Sequence, residues 1–394
     1  MHMPTLTTRR TDLDWLRVLS ILMVFVFHAS HFFDTMDWHV KNARQYAYLV
    51  AWVFLFGSWG MPLVFVIAAA STYYALGTRG ALTFLKERAL RLLIPVAVAA
   101  FTHAAFQVYL DRLSHGRFAG SFWAFYPHYF EGVYSSSSAS GNFAYHGVHL
   151  WFLLVLFIFS ALFLPLLTWL RGARGQRVYA ALGDALAVPG VVYLLALPII
   201  SAMLLPEDGS LLLGRFAGWN LLGFTQFLLY GFVIATHAGT RQRIERGRWT
   251  AMTAGLLTAG GMAALLLRVI AAPDGIMFWL IDVLYALTGW LWVLAILGFG
   301  SRHLTRTTPW LRYANEAVMP FYVLHQTVLL AVGYVVVGWP IPDLLKFLVI
   351  AVISFGLIML AYEYLIRRVN LLRFLFGMRP LARAAQAQAM RGAA

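Results

Sequence analysis

The chain has 394 residues, of which 61% are hydrophobic and only 12% charged, against about 25% charged in a soluble globular domain. This excludes a soluble enzyme, and the absence of cysteine excludes disulfides, thiolate metal sites and a cysteine nucleophile. The net charge of +14 is no nucleic-acid signature, because the basic residues gather in alternate loops between apolar spans.

Ten apolar spans are predicted near 13–33, 49–76, 92–111, 149–170, 188–205, 216–236, 250–271, 276–299, 316–337 and 343–366, each of a length that suits a membrane helix. The chain is therefore expected to be an all-α, polytopic membrane helix bundle. It reads as a single membrane domain over 1–394, with a core of about 12–368 and a tail of 369–394. Arg9 and Arg10, the Arg79–Arg91 loop, the basic loops after spans four, six and eight, and the arginines after span ten lie on one side. The positive-inside rule makes that side cytoplasmic, places both termini there and assigns the charge to topology and anionic lipid. No cleavable signal is evident, so a bacterial inner membrane is the default location.

The first span reads LDWLRVLSILMVFVFHASHFF and carries Arg17 and His28 inside an apolar run. Eleven residues are three helical turns plus about 20°, so both side chains share one face, about 16 Å apart. Ionisable groups at membrane depth are costly and face a partner, a cavity or a pathway. A snorkelling arginine and a packing histidine fit the spacing equally well. The second span carries Gly57, Gly60 and Pro62, where helices approach closely or kink. Arg88 and Arg91 precede Pro95 on one helix face, and the third span adds His103 and Gln107, which suit interhelical hydrogen bonds.

Residues 113–148 are rich in aromatic side chains and contain the run Ser135–Gly141. They read as an interfacial aromatic helix with a flexible linker, or as a lid whose rings stack on a sugar. The fourth span opens with His149-Leu150-Trp151. The seventh and eighth form a hairpin turning at Pro273-Asp274-Gly275, with Arg268 and Asp282 expected as an ion pair. The ninth places His325 about 15 Å deep, level with His28. Glu363 and Arg367 form an i,i+4 pair at the end of the tenth. No P-loop, dinucleotide fingerprint or metal-ligand cluster is present in the sequence.

Taken together these residues resemble the acyltransferase 3 family of integral membrane acyltransferases. Its arginine, ten residues and histidine in the first helix match Arg17 and His28. Its paired arginines before a proline match Arg88, Arg91 and Pro95. The chain is most similar to the branch containing the periplasmic glucan succinyltransferases. Trp38-His39-Val40, Gln107, the run from His149 to Leu156, Asn315 ten residues before His325, Tyr362-Glu363 and Leu371–Phe376 carry that likeness. One departure is Ala68-Ala69, where the branch has Ser-Gly.

The resemblance implies an O-acyltransferase, of the class that transfers groups other than amino-acyl groups. Such an enzyme moves a short acyl group, acetyl or succinyl, from cytoplasmic acyl-CoA to a hydroxyl of a sugar or glycan at the outer face. Acyl-CoA is a co-substrate, with no permanently bound cofactor, no metal and no nucleic-acid partner. His28 is the expected base, with transient acylation of its imidazole as the alternative. Asn315 and His325 are expected to orient it or stabilise the oxyanion, and Gln107 shares that expectation. Arg17, Arg88 and Arg91 suit the CoA phosphates. Trp38, His39, Gln107, His149 and Trp151 are the expected acceptor side. The rival is a proton-coupled transporter or flippase of a sugar-like solute, since intramembrane His and Arg serve transport as well. Dependence on acyl-CoA separates the two.

Overall fold

An apolar segment in lipid has to satisfy its backbone polar groups within itself, and a single segment does so as a helix. A computed structural model describes residues 10–135, 140–207, 212–271 and 275–381. In chain order its helices are α1 (Thr11–Ser30), α2 (Leu49–Leu76), α3 (Ala81–Phe101), α4 (His103–Ser114), α5 (Phe122–Phe125), α6 (Trp151–Leu162), α7 (Leu164–Arg171), α8 (Gly175–Ala187), α9 (Val191–Leu194), α10 (Ala196–Met203), α11 (Leu221–Ile234), α12 (Ala238–Arg246), α13 (Arg248–Ala271), α14 (Gly275–His303), α15 (Pro309–Val336), α16 (Asp343–Ala361) and α17 (Asn370–Leu375). A hairpin of two-residue strands, β1 (Arg215–Phe216) and β2 (Trp219–Asn220), is the one small sheet among the described residues.

The fold is all-helical in substance, as expected. Six helices are long and apolar enough to cross a membrane, and the number is ten if each of four bent pairs counts as one span. Two of those pairs join a further helix at a sharp angle to the spans expected at 188–205 and 216–236. The segments Gly175–Ala187 and Val191–Met203 meet at 104°, and α11 meets α12 at 103°. The first break falls at Val188-Pro189-Gly190, where Gly190 takes a left-handed φ of +89° that a glycine adopts freely. The second falls where α12 turns polar, with Arg241, Arg243, Glu245 and Arg246 in nine residues. The α3–α4 pair bends by 45° at Thr102, whose hydroxyl bonds back to the Val98 carbonyl at 2.6 Å.

The chain divides into two compact units. The first comprises Met1–Ser20, Ala51–Arg79 and Pro165–Asn315. Within it α2 and α14 approach so closely that a Cβ at Gly289 would collide with the Ser58 carbonyl. Gly231 of α11 lies against Val66 and Ala69 in the same way, so the chain's own alanine at 69 faces a glycine that makes room for it. The expected Arg268–Asp282 ion pair is not formed. Asp282 takes both guanidinium nitrogens of Arg215 at 2.5 and 2.7 Å, and Arg215 also reaches Glu207 at 2.7 Å. The β1–β2 hairpin carries Arg215 to Asp282, while Arg268 is exposed. The expected turn at Pro273-Asp274 lies outside the described residues.

The second unit comprises Ile21–Val50, Gly80–Leu164 and Glu316–Ala394. Its aromatic 113–148 segment is neither a simple interfacial helix nor an open lid. Phe125, Tyr129 and Tyr134 are buried against Ala104, Ala105 and Val108 of α4, forming a small core of their own. Trp123 and Tyr145 remain exposed. Residues 136–139 of the serine run lie outside the described residues. Glu363 and Arg367 pair at 2.9 Å across a single π-turn, Tyr362–Ile366. The first part of the expected tail is folded: Arg373 of α17 is buried, donates to the Arg367 and Arg379 carbonyls and lies 2.9 Å from Glu316. Residues 382–394 lie outside the described residues.

Candidate active site

His28 sits one turn from the end of α1, and His325 sits in α15. The second unit brings their rings edge to edge and nearly coplanar, with centroids 5.0 Å apart, planes within 16° and His28 Nδ1 2.8 Å from His325 Nε2. The partners fix the protons. His325 Nδ1 lies 2.6 Å from the Tyr322 carbonyl oxygen, which can only accept. Nδ1 therefore carries the hydrogen and Nε2 of neutral His325 a lone pair. His28 Nδ1–H donates to that lone pair, so neutral His28 is left with a bare Nε2. His28 is half-buried, and no group among the described residues bonds that nitrogen.

His149, at the start of α6, stands edge-on to the pair. Its ring is 4.8 Å from His325 at 84° and 6.5 Å from His28 at 79°. His149 Nε2 donates to the same Tyr322 carbonyl at 3.1 Å, the Val323 carbonyl is also close to the ring, and the Tyr322 hydroxyl donates back to the His149 carbonyl at 2.7 Å. His149 Nδ1 is left as a buried lone pair without a hydrogen-bond partner.

Trp38 covers this cluster from the loop after α1. Its ring lies parallel to His28 at 5.3 Å and to His31 at 4.7 Å, each within 19°. Its Nε1–H is buried and has no acceptor. His31 Nδ1 is 2.6 Å from Asp34 Oδ2, an ion-pair approach without hydrogen-bond alignment. Asp34 Oδ1 accepts from Lys41 Nζ at 2.8 Å and from the Met36 amide at 2.9 Å. Burial pushes the Asp34 carboxyl up, but the approach of His31 and the bond from Lys41 outweigh it and hold the group below the usual carboxylate range.

His39, expected at the acceptor, is spent within the protein. Its Nδ1 meets the Tyr134 hydroxyl at 3.1 Å and Asp111 at 3.5 Å, and its Nε2 meets the Gln326 amide at 3.1 Å. Asp111 is held by Arg112 at 3.0 Å. Gln107 is fully buried and donates to Thr327 at 2.7 Å, where His103 also arrives at 2.9 Å. This is an interhelical bond from α4 to α15, and Gln107 makes it in place of a bond to His28. Trp151 packs edge-on against Phe152.

Asn315 does not join the imidazoles. Its side-chain oxygen accepts from Arg17 at 3.3 Å, and its amide nitrogen bonds the Leu311 carbonyl of its own helix. Ten residues of α15 separate it from His325, about 15 Å. Arg17 also holds Asp14 at 3.1 Å and Ser71 at 2.9 Å. Arg88 packs its guanidinium over the Phe84 ring at 5.3 Å, and Arg91, which is exposed, donates from Nε to the Gly377 carbonyl at 3.2 Å. Tyr322 and Asp34 were not anticipated from the sequence. Tyr322 acts through its backbone carbonyl, which has no side-chain signature, whereas Asp34 stands three residues after His31 and was legible as an i,i+3 pair.

The family model described as an acyltransferase domain matches residues 10–363. The chain belongs to the acyltransferase 3 family. Relatives named glucans biosynthesis protein C, from Salmonella paratyphi A, Salmonella agona and Salmonella schwarzengrund, are each 24% identical over 390 residues, covering 94% of this chain and 95% of theirs. No solved structure matches. The molecule is thus a multi-pass membrane acyltransferase with bacterial relatives, and its imidazole cluster is the candidate centre of that activity.

Proposed function

We propose that this acyltransferase moves a short acyl group, acetyl or succinyl, from cytoplasmic acyl-CoA to a hydroxyl of a sugar or glycan at the outer face of a bacterial inner membrane. One membrane domain does the work, with both termini cytoplasmic. The observation that carries this reading is the ordered chain from the Tyr322 carbonyl through His325 to His28, which presents a bare imidazole nitrogen at a half-buried position. A neutral imidazole with a fixed tautomer suits general-base chemistry near neutral pH.

In direct transfer, the acceptor hydroxyl gives its proton to His28 Nε2 as its oxygen bonds to the thioester carbon. The carbonyl electrons move to oxygen. Collapse of that intermediate breaks the carbon–sulfur bond, and the CoA thiolate recovers the proton from His28. An acyl-imidazole route would use the same nitrogen as nucleophile. His325 is a positioning residue in either case, because both its nitrogens are engaged. His149 Nδ1 supplies a lone pair that would accept from an acceptor hydroxyl, and Trp38 covers the imidazoles, with Trp151 on the acceptor side. Arg17, Arg88 and Arg91 supply planar cations of the kind that bind CoA phosphates. The relatives' name refers to glucan, which favours a glycan acceptor.

The test is acyl transfer in sealed proteoliposomes, with acyl-CoA on the face that bears the basic loops and a glycan on the other. Transfer that depends on acyl-CoA is expected. Movement of a sugar-like solute without transfer from any acyl-CoA would replace this reading by a transporter or flippase.

A further inference from the structure

The residues expected from sequence to stabilise an oxyanion are committed elsewhere. Asn315 bonds Arg17 and Leu311, the Gln107 amide bonds Thr327, and His325 spends both nitrogens on His28 and Tyr322. Attack on a thioester nevertheless places a full negative charge on the carbonyl oxygen, and a preorganised donor at that point is a large contribution to rate. Trp38 offers one. Its ring is stacked on His28 and His31, and its Nε1–H is buried without an acceptor. A buried N–H left unpaired costs about 1–3 kcal/mol, so proteins leave few of them. Here the unpaired donor lies on a ring that touches the base itself.

The reach is right. The attacking oxygen sits about 2.8 Å from the imidazole nitrogen that takes its proton, which puts the carbonyl oxygen about 5 Å from that nitrogen. The Trp38 ring lies 5.3 Å from the His28 ring, centroid to centroid, a separation of the same order. The indole lies nearly parallel to two imidazole rings that are themselves 6.5 Å apart, and turning it would break both contacts. Its donor is therefore oriented before substrate arrives, as an oxyanion donor has to be.

We infer that Trp38 is a catalytic residue whose indole N–H donates to the oxyanion formed when a hydroxyl attacks the acyl thioester. The inference rests on the acyltransferase reading of the pocket. No other group changes its proton inventory: the indole keeps its hydrogen throughout, the hydroxyl proton passes to His28, and the leaving thiolate takes it up.

The experiment replaces Trp38 in the full-length protein by 3-benzothienylalanine, which keeps the ring shape and puts sulfur where the N–H was, with Trp38→Phe as a second variant. The assay is acyl transfer in proteoliposomes, with thermal melting measured alongside. The expected result for the benzothienyl protein is a kcat about 10²- to 10³-fold lower, an acyl-CoA KM within about twofold of wild type and a melting temperature no lower than wild type, with kcat of Trp38→Phe falling in the same direction. A benzothienyl protein with kcat within about threefold of wild type, or with its loss confined to the acyl-CoA KM, overturns the proposal while the acyltransferase reading stands. A wild type that transfers nothing from any acyl-CoA overturns that reading and this proposal together.

Discussion

His28 and His39 belong to the same unit, and Trp38 contacts both rings, yet they end in opposite states. His39 has a hydroxyl and a carboxylate at one nitrogen and an amide at the other. His28 has one nitrogen pinned by His325 and the other bare. Hydrogen bonding that consumes both nitrogens gives a structural strut, because the ring has nothing left to exchange with a substrate. Bonding that consumes one leaves the tautomer fixed and the reactive atom available. What separates the two histidines is therefore how many of their atoms the protein uses.

The largest expected effect comes from removing the bare nitrogen. His28→Ala is expected to insert and melt like wild type and to lose about 10²- to 10⁴-fold in kcat, with the acyl-CoA KM little changed. Activity near wild type in a folded His28→Ala protein would end the distinction drawn between the two histidines. His325→Ala tests the pinning alone. The loss of an orienting partner costs about 10- to 100-fold, so kcat is expected to fall by less than in His28→Ala. Adding His325→Ala to His28→Ala is expected to cost almost nothing more, because the partner then has nothing to orient.

Much of this was legible in the sequence. The apolar lengths gave the helices, and the Arg17–His28 spacing together with the depth of His325 picked out the residues of the centre. The roles were harder to read. Asn315 is on the right helix but ten residues away, so sequence proximity to His325 in a motif misassigned it to the imidazoles. The tautomer of His325 depends on a backbone carbonyl at Tyr322, and a backbone atom leaves no trace in residue identity. Arg215 lies in the sequence between two apolar spans, and nothing in its neighbours announces the hairpin that carries it to Asp282. The bends at Pro189-Gly190 and before α12 coincide with a breaker and a polar run at the edges of the apolar windows, and the less apolar α8 and α12 beyond them fell outside the expected spans.

A moderate effect is expected at the donor side. Arg88→Ala and Arg91→Ala are each expected to raise the acyl-CoA KM about ten- to a hundredfold, since each charge-assisted phosphate contact contributes about 1.5–3 kcal/mol. An unchanged KM would leave Arg88 to its packing on Phe84 and Arg91 to its bond with Gly377. His39→Ala is expected to move a different readout altogether. It removes the bonds that His39 makes to the Tyr134 hydroxyl and the Gln326 amide, costing about 1–3 kcal/mol of stability, while kcat per folded molecule stays within about threefold. A selective collapse of kcat in His39→Ala would mean that His39 exchanges its bonds during turnover.

The smallest effect concerns His31, one turn beyond His28 and stacked on the same tryptophan, and it shows as a pH dependence of stability. Asp34 is fully buried, takes Lys41 and the Met36 amide at one oxygen and lies beside His31 at the other. Burial alone would raise its pKa, and the cationic and hydrogen-bonding neighbours reverse that and lower it. A carboxyl whose folded pKa is depressed stabilises the fold above its unfolded value of about 3.9 and loses that contribution as pH falls through the lower folded value. The wild type is therefore expected to lose melting temperature progressively as pH drops from about 5 toward the folded pKa of Asp34. Asp34→Asn is expected to start lower at neutral pH and to show a shallower fall over the same range. If the two proteins lose stability in parallel, Asp34 is not the group that titrates. If instead Asp34→Asn lowers kcat as much as His325→Ala does, His31 belongs with the working imidazoles and the line drawn around His28 has to be widened to include it.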